Sequence, residues 1–194
     1  MQFEKTKKYI FGKLKKDLAK HLSYHSVNHI KDVYTAAENL AKHEGVSGDD
    51  LTLLLTAVLF HDSGFLMQQK GHESISCDIV RESLPQFEYT PEEIERICGM
   101  IMATSIPQTP HNLLEKIICD ADLDYLGRDD FFTIGNNLYA ELQVYGMINS
   151  EDEWNTMQVG FLKKHHYFTE TAIRLRKAKK DENLNKVISL LKHK

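Results

Sequence analysis

The spacing of apolar residues constrains this chain more than any other feature of its sequence. Apolar side chains recur at intervals of three and four residues in two series: Ile30, Val33, Tyr34, Ala37, Leu40 and Ala41, and then Leu51, Leu54, Leu55, Val58 and Leu59. Such intervals place side chains on one face of an α-helix, whereas the alternation that indicates a half-buried strand is not found. The sequence therefore predicts an all-α fold.

Capping residues divide the chain into separate helices. Residues 90–93 (TPEE) combine a capping hydroxyl, a proline at the first helical position and a glutamate three residues after the cap. Ser150 and Glu153 repeat the capping pattern. From the usual lengths of helices and loops we expect about seven to nine helices. We predict that residues 1–194 form a single-domain helical bundle, and that the basic run 174–180 is the solvated face of the last helix.

Composition excludes several classes of protein. The chain has 194 residues, 42% of them apolar, and a net charge of −4, which argues against a general nucleic-acid binder. Its three cysteines form no C-x-x-C pattern and are interpreted as reduced thiols. The longest apolar stretch, about ten residues, is much shorter than the roughly 20 that a membrane span needs. We expect a cytoplasmic protein that has no membrane partner.

Polar residues interrupt this apolar pattern at three places. An adjacent His61-Asp62 pair ends the apolar run 51–60, and burying such groups is costly unless they are paired or bound to a metal. His25 and His29 are four residues apart, so on a helix both would project from one face. The third place is a set of three acids that follows an apolar segment: Asp120, Asp122 and Asp124.

Each of these elements also has an interpretation without a functional site. His29 could be a core histidine satisfied by hydrogen bonds, since H-x-x-x-H often occurs without a metal. Asp62 could simply end a helix before Gly64, and the three acids could form a solvated helix end. No single element distinguishes these alternatives.

Taken in order, the three elements resemble the HD superfamily of metal-dependent phosphohydrolases, whose pattern is H…HD…D on a helical bundle. Residues 24–33 are similar to the Y-H-x-x-x-H-x-x-D-V opening of its phosphodiesterase-like branch. Residues 57–65 are similar to the central motif, and 120–124 to the closing one. Further similarity covers Gly71-His72-Glu73 with Ser76, and 161–169, so the resemblance spans most of the chain.

The resemblance implies a ligand set and two catalytic residues. The expected ligands of a first divalent ion (manganese, iron, zinc or magnesium) are His29, His61, Asp62 and Asp122. Asp120 and Asp124 would orient ligands or cap a helix instead. The resemblance also implies that Asp62 accepts the proton of the attacking water and that His25 protonates the departing oxygen, for which an imidazole is well suited.

His72 has two interpretations of equal weight. Some HD enzymes hold a second metal with a histidine in this region, which would give this chain two ions. Residues 102–105 (MATS), however, lack the paired histidines of the fullest dinuclear pattern. The alternative is that His72 caps a helix or contacts the phosphate of the substrate.

The function implied by the resemblance is that of a metal-dependent phosphohydrolase. It would be a phosphomonoesterase or phosphodiesterase that attacks a nucleotide or small phosphate ester with metal-activated water. A non-catalytic metal- or nucleotide-binding regulatory domain stays open as an alternative, as does a metal-free interaction scaffold. The expected partner is a small phosphorylated molecule, for which a nucleotide is favoured, and a homo-oligomer is compatible with the sequence.

Overall fold

The computed structural model describes residues 1–192, and this part of the chain contains helices and no strand. It has nine α-helices: α1 Phe3–Asp17, α2 Val27–His43, α3 Gly48–Phe60, α4 His72–Ser83, α5 Pro91–Ala103, α6 Leu113–Asp122, α7 Phe131–Val144, α8 Glu151–Lys164 and α9 Glu170–Lys192. Three short 3-10 helices, Ser63–Leu66, Leu84–Phe87 and Asp124–Gly127, lie between them. The predicted all-α class is confirmed.

Helix α3 is the centre of the main core. Its residues Leu53–Phe60 are all buried, so beyond its exposed first turn the helix has no solvated face. Helices α1, α2, α5 and α6 pack around it, and α2 contributes the apolar stripe predicted from the sequence. Because α3 ends inside the protein, the His61-Asp62 pair that follows it is buried as well.

A second core lies at the C-terminal side of the molecule. It is built from α7, α8, α9 and the 3-10 helix Asp124–Gly127, with Tyr24, Leu126, Phe131, Leu162 and Val187 among its buried members. Helix α9 packs along both α8 and this 3-10 helix. Two members of its basic run correct the prediction of a solvated face. Lys180 is buried, and the half-buried Arg176 forms an ion pair with Asp124.

The predicted capping box is complete at the start of α5 and incomplete at the start of α8. Thr90 accepts a hydrogen bond from the Glu93 amide and donates its own amide to the Glu93 carboxylate, so the predicted capping box is present. Ser150 caps α8 through the Glu153 amide, but the Glu153 carboxylate accepts the amide of Asn149 instead of completing the box. Within residues 1–192, every helix is either too short or too polar to cross a membrane.

Candidate metal centre

His61 and Asp62 occupy the buried turn after α3. The Nδ1–H of His61 donates to the carbonyl of Val58 at 2.8 Å, which leaves Nε2 as the free ring nitrogen. The hydroxyl of Ser76, in α4, donates to the His61 carbonyl at 2.7 Å and accepts the Gly64 amide at 2.8 Å. These bonds fix the turn against α4 and thereby fix the direction of both side chains.

His29 and Asp122 reach the same point from two other helices. His29 lies in the first turn of α2, and Asp122 is the last residue of α6. The Asp122 Oδ1 atom is 3.1 Å from His29 Nε2 and 3.5 Å from His61 Nε2. One ligand atom from each of these three residues lies within 4.8 Å of the other two, so the group could hold a metal ion.

Asp62 adds a fourth side chain to this group. Its Oδ2 atom is 3.2 Å from His61 Nε2 and 3.5 Å from His29 Nε2. Both Asp62 Oδ2 and His61 Nε2 are buried and have no hydrogen-bond partner, which is rare for buried polar atoms. Two imidazole nitrogens with carboxylate oxygens are a suitable donor set for a divalent cation. The residues present therefore fit the metal that the sequence implies.

The two carboxylates are held in the charged form. Burial alone would raise the pKa of Asp62, but the neighbouring imidazoles of His61 and His72 keep it well below its usual range. The pKa of Asp122 is also lowered, because the neighbouring imidazoles of His29 and His61 outweigh its burial. Ionised carboxylates are the form that binds a cation.

The other two acids of the closing motif point elsewhere. Asp120 accepts the amides of Phe168 and Thr169, each at 2.8 Å, and the Thr169 hydroxyl at 2.7 Å. Burial raises the pKa of Asp120 to about 6 despite these donors. Asp124 binds Arg176 at 2.7 Å. Of the three acids, the structure thus brings Asp122 alone to the two histidines.

His25 lies next to this group but not on a helix, so its expected position is wrong. Ser26 is the N-cap of α2, and the helix begins at Val27, two residues after His25. The ring of His25 nevertheless lies 6.3 Å from that of His29, centroid to centroid. It stacks on Phe65 at 4.0 Å.

Glu141 is the partner of His25, and the sequence analysis missed it. The fully buried Glu141 carboxylate accepts the amides of Tyr24 and His25 at 2.9 and 3.1 Å, and it accepts the Nδ1–H of His25. The Nε2 atom of His25 therefore remains for the cavity that the residue lines. Glu141 could have been found in the sequence through one weak signal. It lies three residues after Leu138, which puts a charged residue on the apolar side of α7.

His72 contacts the first group of residues through Asp62. Its Nε2 atom is 3.2 Å from Asp62 Oδ1, and its Nδ1 donates to the Gln69 carbonyl at 3.1 Å. Its ring also packs against Phe65 at 4.3 Å. The position fits either interpretation of His72, as a second-metal ligand or as a contact to the phosphate.

A cavity of about 260 Å³ adjoins these polar residues. Asp62, Asp122, His25 and His72 line one part of it, and side chains of α7 and α8 line most of the rest. A small molecule in this cavity would therefore touch both the polar group and a largely apolar wall.

The fold and the site together define an all-α protein with a buried histidine and carboxylate centre beside a cavity. The model of the HD domain family matches residues 26–124, which include His29, His61, Asp62 and Asp122. This chain belongs to the HD domain family, whose members commonly bind divalent metals and are commonly hydrolases.

Two solved structures share the fold over nearly the whole chain. One is a protein from Lactobacillus plantarum, 19% identical, with a TM-score of 0.69 and coverage of 100% of this chain and 98% of that one. The other is a predicted HD superfamily hydrolase from an uncultured Thermotogales bacterium. It is 17% identical, with a TM-score of 0.62 and coverage of 96% and 89%. The comparison with curated proteins found no match.

Proposed function

We propose that this chain is a divalent-metal-dependent phosphohydrolase that cleaves a nucleotide or another small phosphate ester. The observation that carries the proposal is the pair of unpartnered buried atoms, His61 Nε2 and Asp62 Oδ2, beside the cavity. Membership of the HD family supports hydrolysis as the type of reaction. The proposed metal ligands are His29, His61, Asp62 and Asp122.

The metal would supply charge for the phosphoryl oxygens and would acidify water. Hydrolysis forms a bond from the water oxygen to phosphorus and breaks the bond from phosphorus to the ester oxygen. One proton leaves the water, and one proton must reach the departing oxygen. The net products are the free alcohol and phosphate from a monoester, or the free alcohol and a phosphate monoester from a diester.

Two residues of this chain are placed to move those protons. Asp62 is the proposed acceptor, since it is held in the ionised form and is itself one of the proposed ligands. His25 is the proposed donor through Nε2, because Glu141 occupies its Nδ1 and thereby orients the ring with Nε2 free. Afterwards Asp62 loses its proton to solvent and His25 regains one, so the reaction consumes only water.

The test is a panel of nucleotides and phosphate esters, assayed with added Mn²⁺, Fe²⁺, Zn²⁺ or Mg²⁺, together with elemental analysis of the purified protein. We expect bound metal and metal-dependent release of phosphate or alcohol. Asp122→Asn should lower both the metal content and turnover, the latter by at least about 100-fold. The matched control is Asp78→Asn, which changes an exposed aspartate of α4.

The outcomes separate the candidate functions. Bound metal without turnover of any ester would overturn the proposed enzymatic function and favour a regulatory metal-binding domain. Absence of metal from the protein, even after incubation with these ions, would leave the metal-free scaffold.

A further inference from the structure

The cavity beside the proposed metal centre has walls of two different kinds. Its polar part contains the carboxylates of Asp62, Asp122 and Glu73 and the imidazoles of His25 and His72. Most of the other lining residues are apolar, and several carry aromatic rings: Tyr125, Phe131, Leu138, Leu142, Trp154 and Phe161. Most of these residues come from α7 and α8, which lie beyond the 26–124 segment that defines the family match. The apolar wall is therefore a feature of this chain outside the family segment.

No lysine or arginine among residues 1–191, whose side chains the structure describes, lines this cavity. The guanidinium of Arg128 binds Asp32 and Asp130, and that of Arg176 binds Asp124. Lys164 lines a neighbouring groove, which shares Ile106 and Phe161 with the cavity. Since lysine and arginine side chains are what usually neutralise several phosphates, phosphates beyond the one at the metal centre would meet mainly apolar surface here.

The size of the cavity limits the ligand further. At about 260 Å³ it lies just below the roughly 300–1,000 Å³ that is usual for small-molecule sites. It therefore suits a compact group of one or two rings. A dinucleotide, an oligonucleotide or a long sugar chain would extend out of it.

We propose that the substrate is an ester with a single phosphate, whose alcohol portion is uncharged, compact and mainly aromatic or apolar and occupies this cavity. This inference rests on the proposed function, because it assumes that the phosphate lies at the metal centre. It predicts that nucleoside triphosphates are poor substrates compared with monophosphates.

The first experiment compares two primary alkyl monophosphates that differ in the alcohol, 2-phenylethyl phosphate and glycerol 1-phosphate. We expect kcat/KM to be about 10- to 100-fold higher for the phenyl ester, the range that burial of an aromatic group gives. Adenosine 5′-triphosphate should be cleaved with a lower kcat/KM than adenosine 5′-monophosphate. Equal or better turnover of glycerol 1-phosphate or of the triphosphate would overturn the inference and leave the phosphohydrolase intact.

The second experiment needs no turnover and no metal. Trp154 is the one tryptophan of the chain and lines the cavity, so its fluorescence reports on occupancy. In the presence of a chelator, 2-phenylethanol should change this fluorescence with saturation, and glycerol should not. If no phosphate ester is cleaved but 2-phenylethanol binds, the proposed function fails while the apolar character of the cavity stands. Absence of a saturable change would contradict the proposal that the cavity binds an apolar aromatic group.

A pair of methionine variants locates the effect. Met157 lines the cavity and is 45% exposed, so a lysine should be tolerated there without unfolding the core. Met157→Lys should lower kcat/KM for 2-phenylethyl phosphate at least about 10-fold. It should also reduce the ratio of kcat/KM for adenosine 5′-monophosphate to kcat/KM for the triphosphate. Met102→Lys is the control, since Met102 is 46% exposed and does not line the cavity. Equal effects of the two substitutions would overturn the assignment.

Discussion

At the scale of the residue, Glu141 decides what His25 can do. A carboxylate at Nδ1 fixes the tautomer and the orientation of the ring. Glu141→Gln keeps the shape but removes this charge. We expect kcat to fall by about 10- to 100-fold with little change in bound metal, because Glu141 contacts none of the proposed ligands. Steady-state kinetics and elemental analysis would check both parts.

The leaving group distinguishes proton donation from mere support of the fold. p-Nitrophenolate departs readily without a proton, whereas an alkoxide does not. Glu141→Gln and His25→Ala should therefore slow the hydrolysis of p-nitrophenyl phosphate much less than that of an alkyl phosphate. An equal loss on both esters would contradict the role of His25 as the donor.

Asp120 offers a contrasting case two residues from a proposed ligand. Its carboxylate satisfies three donors at the turn that leads into α9, and the amide of asparagine could accept at one atom alone. Asp120→Asn should lower the free energy of unfolding by about 1–3 kcal/mol, since buried donors lose their acceptor. Chemical denaturation measures this. The exposed Asp78→Asn should change it by less than about 0.5 kcal/mol, and a loss of metal in Asp120→Asn would contradict the separation of roles.

At the scale of the element, the approach of α4 to the turn after α3 depends on Gly64. A Cβ atom at this position would lie 2.0 Å from the backbone carbonyl oxygen of His72, which cannot move without displacing the start of α4. Gly64→Ala should therefore destabilise the protein by about 1–3 kcal/mol and should separate His72 from Asp62. Thermal unfolding would show a lower Tm.

A second glycine serves as the control for this prediction. Gly12 lies inside α1 with open space around its position. Gly12→Ala should raise stability, because alanine is the better helix former by about 1 kcal/mol. If Gly64→Ala were as well tolerated as Gly12→Ala, the close contact between α4 and the turn would not be required.

The helices themselves could be predicted because their signals are local. The stripe of α2, the apolar α3 and the cap at Thr90 each depend on residues within a few positions of one another. The order H…HD…D likewise identified the side chains that converge. The choice of Asp122 over Asp120 and Asp124 came from the resemblance to the family motif, and the structure brings Asp122 to the two histidines.

What could not be predicted depends on contacts between distant elements. Glu141 meets His25 across 116 positions of the chain, and no local pattern encodes how α7 packs there. Arg176 and Lys180 were expected to be solvated, but the buried Asp124 draws Arg176 inward. His25 and His29 do not share a helix, because Ser26, between them, caps α2.

At the scale of the whole molecule, the proposed centre joins three parts of the chain. His29 begins α2, His61 and Asp62 follow α3, and Asp122 ends α6. A cation held by all of them would cross-link the main core at its centre. The arrangement of residues 1–194 as a single domain stays a prediction, and it implies that this cross-link would stabilise the chain as one cooperative unit.

Removal of the metal tests directly whether the bound cation stabilises the fold. A ligand that binds the native state and not the unfolded one stabilises the native state by about 2.7 kcal/mol at 100 times its Kd. For a chain of this length that corresponds to a rise in Tm of about 5–10 °C. We expect this rise when Mn²⁺ or Zn²⁺ is added to chelator-treated protein, as measured by scanning calorimetry. His29→Ala should abolish the rise, whereas His43→Ala, which changes an exposed histidine of the same helix, should keep it. An equal rise in both variants would place the ion elsewhere, because mass action requires that the loss of a ligand weaken the stabilisation that its ion provides.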